Sequence, residues 1–193
     1  MALILGSSSP IRRAMLDQAG VDYKVVRPDC DEDAVKARHE GGADRLALTL
    51  AKAKALSVAA TPEDWVIGSD SVVSVEGRLF DKPADRQQAA EHLRFFSGRT
   101  MELTSAVALA HGGGVDWCHG ETAKLHVRTL SDDFIEAYLD ADWPEVSYCV
   151  GVFRMEGPGV TLFEKIDGNH FTILGMPLLP LLGALRQRRI IAS

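Results

Sequence analysis

MALILGSSSPIRRAML, residues 1–16, is the stretch from which the fold is inferred. Residues 2–5 form an apolar run short enough for a buried strand, residues 6–9 form a small-residue loop, and the proline that follows suits the first position of a helix. Arg12 and Arg13 fall in the first turn of that helix, where the helix dipole disfavours cations. Two interpretations stay open: the loop binds an anion such as a phosphate, or a serine caps the helix and both arginines are solvated.

Composition restricts the class of protein. The chain has 193 residues, of which 46% are hydrophobic and 25% charged, which is ordinary for a globular protein. Its net charge of −6 argues against nucleic acid or a membrane surface as partner. It shows no apolar run of membrane-spanning length, no leader pattern and no CxxC among its three cysteines. We therefore expect a cytoplasmic protein that binds neither nucleic acid nor membrane.

Helix and strand patterns alternate along the chain, which predicts an α/β fold with a mixed sheet flanked by helices. Helices are expected at residues 10–20, 44–60 and 85–96, after a cap at Ser131, and from about residue 175. Strands are expected at residues 2–5, 21–26, 65–68, 72–75, 101–109, 123–128, 150–153 and 160–166.

Acidic and basic residues at separate points could carry chemistry. Asp70 follows a buried strand pattern, where side chains often project into a cleft, although a turn aspartate gives the same pattern. Lys54 lies in an alanine-rich helix and Lys82 in a constrained loop, and each alone is typical of a surface lysine. Asp31 and Glu32 could hold a hard divalent cation or simply face solvent. Together with the serine loop, these residues predict metal-assisted chemistry on a polyphosphate.

The order and spacing of these motifs resemble the Maf family of nucleoside triphosphate pyrophosphatases over nearly the whole chain. The most specific match is SSSPIRRAML, residues 7–16, which is similar to the family's S-x-S-P-x-R-R-x-x-L opening. The other landmarks match in order: Asp31-Glu32, Lys54, Gly68-Ser69-Asp70, Lys82-Pro83, Ser97-Gly98 and Gly175-Met176-Pro177-Leu178.

The resemblance implies one twisted α/β domain over residues 1–193, with two lobes around a central cleft. It also implies a house-cleaning enzyme of nucleotide metabolism, whose small-molecule nucleotide substrate is cleaved between the α and β phosphates, and a possible homodimer. The proton acceptor would be Asp70, the further catalytic residues Lys54 and Lys82, and the metal ligands Glu32 and Asp70, holding Mg²⁺ or Mn²⁺. The implied phosphate-binding residues are Ser7, Ser9, Arg12 and Arg13.

The family divides by substrate. The dTTP and UTP branch has A-D-T around the aspartate and a glutamine before the later glycine, whereas this chain has Gly68-Ser69-Asp70 and Glu156-Gly157, which resembles the 7-methyl-GTP branch. Ile11, Ser71 and Glu156 are the positions expected to set substrate specificity. Two positions depart from that branch: Ile11 stands where it can have an aromatic residue, and Thr104-Ser105 replaces a Thr-Gly pair.

Other functions stay open at this point. One is a dTTP or UTP pyrophosphatase, and another is a phosphatase acting on other phosphorylated small molecules. A third is a non-catalytic regulator of cell division, because the family name is also linked to septum inhibition. A regulator would need an exposed partner surface but not a full set of catalytic groups, so the retained set favours an enzyme.

Overall fold

The computed structural model describes residues 1–192, so Ser193 of the predicted domain lies outside the described residues. The strands are β1 (Leu3–Gly6), β2 (Lys24–Val25), β3 (Trp65–Val75), β4 (Arg78–Phe80), β5 (Thr100–His111), β6 (Gly114–Val127) and β7 (Phe163–Asp167). The α-helices are α1 (Pro10–Gln18), α2 (Glu32–Ala37), α3 (Ala43–Leu56), α4 (Arg86–Phe96), α5 (Asp132–Asp142), α6 (His170–Ile173) and α7 (Leu178–Gln187). Short 3₁₀ helices lie at Glu145–Tyr148 and Pro158–Leu162.

One mixed sheet contains seven strands in the order β2-β1-β3-β5-β6-β7, and β4 pairs with β3 off this path. β1 pairs in parallel with both β2 and β3, with Gly6 opposite Gly68. The β3–β4 and β6–β7 pairs are antiparallel. The predicted α/β class with a mixed sheet flanked by helices is therefore confirmed.

The described residues form two compact units. Unit 1 comprises residues 1–71, 104–121 and those from 169 onward, and unit 2 comprises residues 72–103 and 122–168. Among the helices of residues 1–192, none combines the length and the apolar character needed to cross a bilayer. The single-domain, two-lobed arrangement stays a prediction.

The core of unit 1 is built by helices that each bury one apolar face. In α7, Leu178, Leu181 and Leu185 recur at intervals of three and four residues, so they lie on the same side of the helix. These leucines pack in one cluster with Met15 and Leu16 of α1 and with apolar residues of β1, β3 and β5. The remaining members of that cluster include Leu3, Leu5, Trp65, Ile67, Val107 and Leu109.

Helix α3 packs against β3 with almost no side chain between them. A Cβ atom added at Gly68 would lie 2.2 Å from the carbonyl oxygen of Ala51 and 2.4 Å from the amide nitrogen of Ala55. Ala51 and Ala55 are themselves buried. Glycine and alanine are therefore needed here because the two backbones are in direct contact.

Unit 2 has an aromatic core and a polar contact between two helices. Phe80 of β4 packs edge to face on Phe96 of α4, with ring centroids 4.8 Å apart. Arg86 of α4 lies 2.6 Å from Glu136 of α5, and a second pair joins the same helices. Ion pairs that are open to solvent contribute little to stability, so the apolar contacts carry most of it.

Predicted helix starts were confirmed where a side chain caps the first turn of the helix. Ser131 caps α5 by accepting a hydrogen bond from the amide of Phe134 at 3.2 Å, as expected. Asp31 caps α2 by accepting from Ala34 at 2.9 Å, so the acidic pair marks a helix start. The helix expected at 44–60 ends at Leu56, and the strand expected at 21–26 is reduced to the two residues of β2.

The strand expected at residues 150–153 is wrong. Gly151 and Val152 have φ angles of 83° and 56°, which turn the chain instead of extending it. The left-handed region disfavours a β-branched residue such as Val152, but its carbonyl accepts a hydrogen bond from Tyr138 at 2.9 Å. The first part of the strand expected at 160–166 is also wrong, because residues 158–162 form a 3₁₀ helix before β7.

Candidate active site

Lys54 brings the two predicted metal-binding acids together in unit 1. Its ammonium Nζ lies 2.5 Å from Asp70 Oδ1 and 2.9 Å from Glu32 Oε1. Lys54 and Asp70 are each only 8% exposed, so each charge is compensated by the other instead of by water. The Glu32 side chain, by contrast, is 44% exposed. Lys54 lies near the end of α3, Asp70 within β3 and Glu32 at the start of α2. The close backbone contact at Gly68 holds the first two in place.

The Cys30 thiol lies close to this triad. Cys30 precedes α2, and burial followed by the negative charge of Glu32 raises the pKa of its thiol. The thiolate needed for nucleophilic attack is therefore disfavoured at Cys30.

Within residues 1–192, no three His, Cys, Asp or Glu side chains form a group that could hold a metal by themselves.

Arg12 is held by three oxygens of unit 1. Its Nε donates to the Gly175 carbonyl at 2.9 Å, Nη1 to Ser7 Oγ at 3.4 Å and Nη2 to Ser71 Oγ at 3.3 Å. Burial lowers the pKa of Arg12, and the charges of Asp70 and Glu32 oppose that shift. A desolvated guanidinium of this kind favours an anionic ligand. The solvated-arginine interpretation is therefore wrong for Arg12, whereas Arg13 is exposed.

The serine loop before α1 leaves polar groups for a ligand. Ser7 is buried, and its hydroxyl accepts from the amide of Ser9 at 3.2 Å. Ser9 is the N-cap residue of α1, yet within the described part of the chain its hydroxyl makes no capping hydrogen bond. The serine-cap interpretation is therefore not supported. Ile11 follows in the first turn of α1 and is half-buried.

Ser71 and Ser105 were singled out from the sequence, but the hydrogen-bonded network of hydroxyls that they form beside Arg12 was not predicted. Ser71 Oγ lies 2.8 Å from Ser105 Oγ, which donates to the Thr172 carbonyl at 2.7 Å. The Thr172 hydroxyl in turn donates to Glu121. One sequence signal was present: Ser105 is a polar residue on the face of β5 that otherwise carries Met101, Leu103, Val107 and Leu109.

Lys82 and Glu156 belong to unit 2, where both are exposed and near Cys149. Burial and then the negative charge of Glu156 raise the pKa of the Cys149 thiol to about 11, against opposing effects of Arg154 and Lys82. Arg154 pairs with Asp142 of α5, which is only 4% exposed. This pair ties the segment that carries Glu156 to α5.

Comparison with known proteins gives one family and close relatives. The family described as Maf-like protein matches residues 2–188. The chain is 48% identical over 189 residues to a 7-methyl-GTP pyrophosphatase of Rhizobium etli, covering 96% of this chain and 95% of that protein. It is 46% identical over 193 residues to a nucleoside triphosphate pyrophosphatase of Granulibacter bethesdensis, covering 98% of each.

Solved structures are similar at lower identity. One of them is a nucleoside-triphosphatase, or dITP/XTP pyrophosphatase, of Mycobacterium abscessus, 21% identical with a TM-score of 0.41. The match covers 67% of this chain and 76% of that one.

Proposed function

This chain belongs to the Maf-like protein family, and we propose on that basis that it is a nucleoside triphosphate pyrophosphatase with a preference for 7-methyl-GTP. The observation that carries the proposal is the contact of the buried Lys54 with both Asp70 and Glu32. It places a candidate proton acceptor, a cation and a second carboxylate within one small volume. Such a group suits hydrolysis of a polyphosphate better than binding alone.

In the proposed reaction, water attacks the α phosphorus of the nucleotide. The bond between that phosphorus and the oxygen bridging to the β phosphorus breaks, and pyrophosphate leaves with the electron pair. Asp70 takes the proton of the attacking water. Because Lys54 holds Oδ1 of Asp70, the other carboxylate oxygen is the proposed proton acceptor.

A divalent cation, Mg²⁺ or Mn²⁺, fits the donor set at this point. Magnesium is usually held by one or two carboxylates together with substrate phosphates and waters, and Glu32 and Asp70 supply two neighbouring carboxylates. When bound, the ion would neutralise phosphate charge that develops during cleavage. We propose Glu32 and Asp70 as the residues that hold it.

The polyphosphate would be bound by the loop before α1. Arg12 is oriented by its contacts to Ser7, Ser71 and Gly175, and we propose that it neutralises phosphate charge from that position. The hydroxyls of Ser7 and Ser9 and the exposed Arg13 are the other proposed phosphate-binding groups. The catalytic role of Lys82 rests on the family resemblance.

Glu156 is the proposed determinant of base preference. A carboxylate accepts two parallel hydrogen bonds, and guanine presents its N1–H and exocyclic amine side by side. Methylation at N7 makes guanine cationic, which adds attraction to Glu156. Ile11 cannot provide the cation–π stacking of an aromatic residue, so we expect some turnover of other nucleotides.

We also propose a cytoplasmic enzyme whose partner is a small nucleotide. In the described residues Cys30, Cys118 and Cys149 are free thiols, which suits a reducing compartment. The homodimer stays a prediction, and analytical ultracentrifugation would test it.

The deciding experiment is hydrolysis of a nucleotide panel with identification of both products by ³¹P NMR. We expect a nucleoside monophosphate and pyrophosphate, with the highest kcat/KM for 7-methyl-GTP. Orthophosphate with a nucleoside diphosphate would contradict the proposed bond. Binding of nucleotides without turnover would instead favour a regulator.

A further inference from the structure

Hydrogen bonds connect Arg12 to the backbone of Thr172 through two serine hydroxyls. Arg12 Nη2 lies 3.3 Å from Ser71 Oγ, Ser71 Oγ lies 2.8 Å from Ser105 Oγ, and Ser105 Oγ lies 2.7 Å from the Thr172 carbonyl oxygen. Ser105 and Thr172 are fully buried, whereas Ser71 is half-buried. The direction of each hydrogen bond therefore decides what Ser71 can offer to a ligand.

The groups at the two ends of this hydrogen-bond series, Arg12 and the Thr172 carbonyl, fix the direction of the hydrogen bond between the two serines. A guanidinium can only donate, so Ser71 accepts from Arg12. A carbonyl oxygen can only accept, so Ser105 gives its single proton to Thr172. Ser105 then has only lone pairs left toward Ser71, and the 2.8 Å contact requires Ser71 to donate.

The Gly175 carbonyl is a second acceptor within reach of Ser71, at 3.2 Å. It already accepts from Arg12 Nε at 2.9 Å, whereas the Ser69 hydroxyl gives its single proton to the nearer Ala106 carbonyl at 2.8 Å. The contact of Ser71 with Ser105 is also shorter. The Ser105 hydroxyl is therefore the favoured acceptor for the Ser71 proton.

We infer that Ser105 is a positioning residue that makes Ser71 a hydrogen-bond acceptor toward the bound nucleotide. The inference rests on the proposed function and deepens it, because such an acceptor selects nucleotides that carry a donor at that point. An exocyclic amine of the base and a hydroxyl of the sugar share this chemistry.

Ser105→Ala tests the inference because it removes the nearer acceptor for the Ser71 proton and leaves only the longer contact with the Gly175 carbonyl. Ser71 can then donate as well as accept, so its preference for a donor-bearing nucleotide should fall about 3- to 10-fold, the range of one neutral hydrogen bond. The measurement is kcat/KM for GTP, ITP and dGTP. A change in the GTP/ITP ratio identifies the base amine as the donor, and a change in the GTP/dGTP ratio identifies the sugar 2′-hydroxyl.

A double-mutant cycle separates positioning from a merely structural role. If Ser105 acts through Ser71, the change in ratio caused by Ser105→Ala disappears in the Ser71→Ala background. Ser97→Ala is the matched control, because the Ser97 hydroxyl bonds the backbone of Leu130 in unit 2. It should lower Tm without changing either ratio. Unchanged ratios in Ser105→Ala, or a change that persists without Ser71, would overturn the inference.

Two further variants and a binding measurement keep the test decisive. Ser105→Thr retains the hydroxyl and should restore the wild-type ratios, and Ser105→Gly replaces Ser105→Ala if that variant fails to fold. Calorimetric Kd values for GTP, ITP and dGTP analogues with an α,β-methylene bridge give the same ratios without turnover. Wild-type protein that binds these analogues but hydrolyses no nucleotide would refute the proposed function, while the Kd ratios still decide the role of Ser105. Failure to bind any analogue would refute both.

Discussion

Lys54 contacts both candidate acids, Asp70 and Glu32. Because Lys54 is buried, breaking its contact with Asp70 changes the free energy of unfolding more than breaking a surface ion pair would. Removing one partner of a buried pair commonly costs about 3–5 kcal/mol, because the other charge is left uncompensated. The half-exposed Glu32 reduces that cost at Lys54 when Asp70 is replaced. Substitutions in this group therefore change catalysis and stability together, and both must be measured.

Asp70→Asn should reduce kcat by about 10²- to 10⁴-fold, because the amide keeps the shape of the side chain but cannot accept the proton of water. The fold should survive, since Lys54 still contacts Glu32. Steady-state kinetics and thermal unfolding of the same preparation give both values. Asp133→Asn, an exposed change in α5, is the control and should leave the rate unaltered. A near-wild-type rate in Asp70→Asn would show that Asp70 is not the base.

Glu156→Gln should move selectivity from 7-methyl-GTP toward UTP and dTTP, because glutamine can donate as well as accept. The shift in the ratio of kcat/KM values should be about tenfold or more, since hydrogen bonds to a charged acceptor are the stronger ones. Glu164→Gln, an exposed change in β7, provides the control. An unchanged substrate ranking would mean that Glu156 does not contact the base.

The sequence could identify individual site residues but not their partners. Asp70, Lys54 and Glu32 were each ordinary taken alone and became candidates only in combination and through the family resemblance, and the structure brings them together. The contacts of Arg12 with Ser71 and Gly175 were not predictable, because those residues lie 59 and 163 positions away in the chain. Periodicity describes the face on which a residue lies, and it contains no information about which distant face it meets.

At the level of elements, the backbone contact between α3 and β3 predicts a sharp difference between two glycines. Gly68→Ala would place Cβ 2.2 Å from a carbonyl oxygen, which must separate helix from strand and cost about 1–3 kcal/mol or more. Because Lys54 and Asp70 lie on these two elements, activity should fall as well. Gly183→Ala, in α7 with open space around its Cβ, should be neutral or stabilising by up to about 1 kcal/mol. Chemical denaturation of both variants checks this, and equal effects would contradict it.

Helix α4 carries a histidine whose burial predicts acid sensitivity. Burial, and then the positive charge of Arg78, lowers the pKa of His92. The unfolded chain therefore binds the proton more readily, so the free energy of unfolding falls as the pH drops below about 6.5 and is unaffected well above it. As the pH is lowered from about 7.5 to 5.5, the free energy of unfolding measured by urea titration should fall less in His92→Leu than in the wild type. Parallel curves across that window would contradict the prediction.

Helices that begin with a proline or a capping side chain could be predicted from the sequence. The irregular segment before Glu156 could not. Pro10 opens α1 and Ser131 caps α5, both through local interactions that the sequence displays. Residues 150–153 have strand propensity, yet Tyr138 and the left-handed Gly151 and Val152 turn the chain. A tertiary hydrogen bond has overridden local propensity there.

At the scale of the whole molecule, the proposed metal site predicts that hydrolysis depends on a divalent cation. Removal of divalent ions with EDTA should abolish hydrolysis, and Mg²⁺ or Mn²⁺ should restore it. Glu32→Gln should raise the ion concentration needed for half-maximal activity by about tenfold or more, the loss seen even when only a supporting residue is replaced. Asp33→Asn, an exposed neighbour in α2, should leave that concentration unchanged. Full activity in EDTA would contradict the metal requirement.

Unit 1 is assembled from three stretches of sequence that the two stretches of unit 2 interrupt. During ribosomal synthesis β1 and α1 leave the exit tunnel long before Leu178, Leu181 and Leu185, which complete the same core. The nascent polypeptide therefore exposes an unfinished apolar surface while the whole of unit 2 is being translated. Exposed apolar surface of this kind is prone to aggregation, so we expect residues 1–71 to need chaperones until synthesis reaches α7.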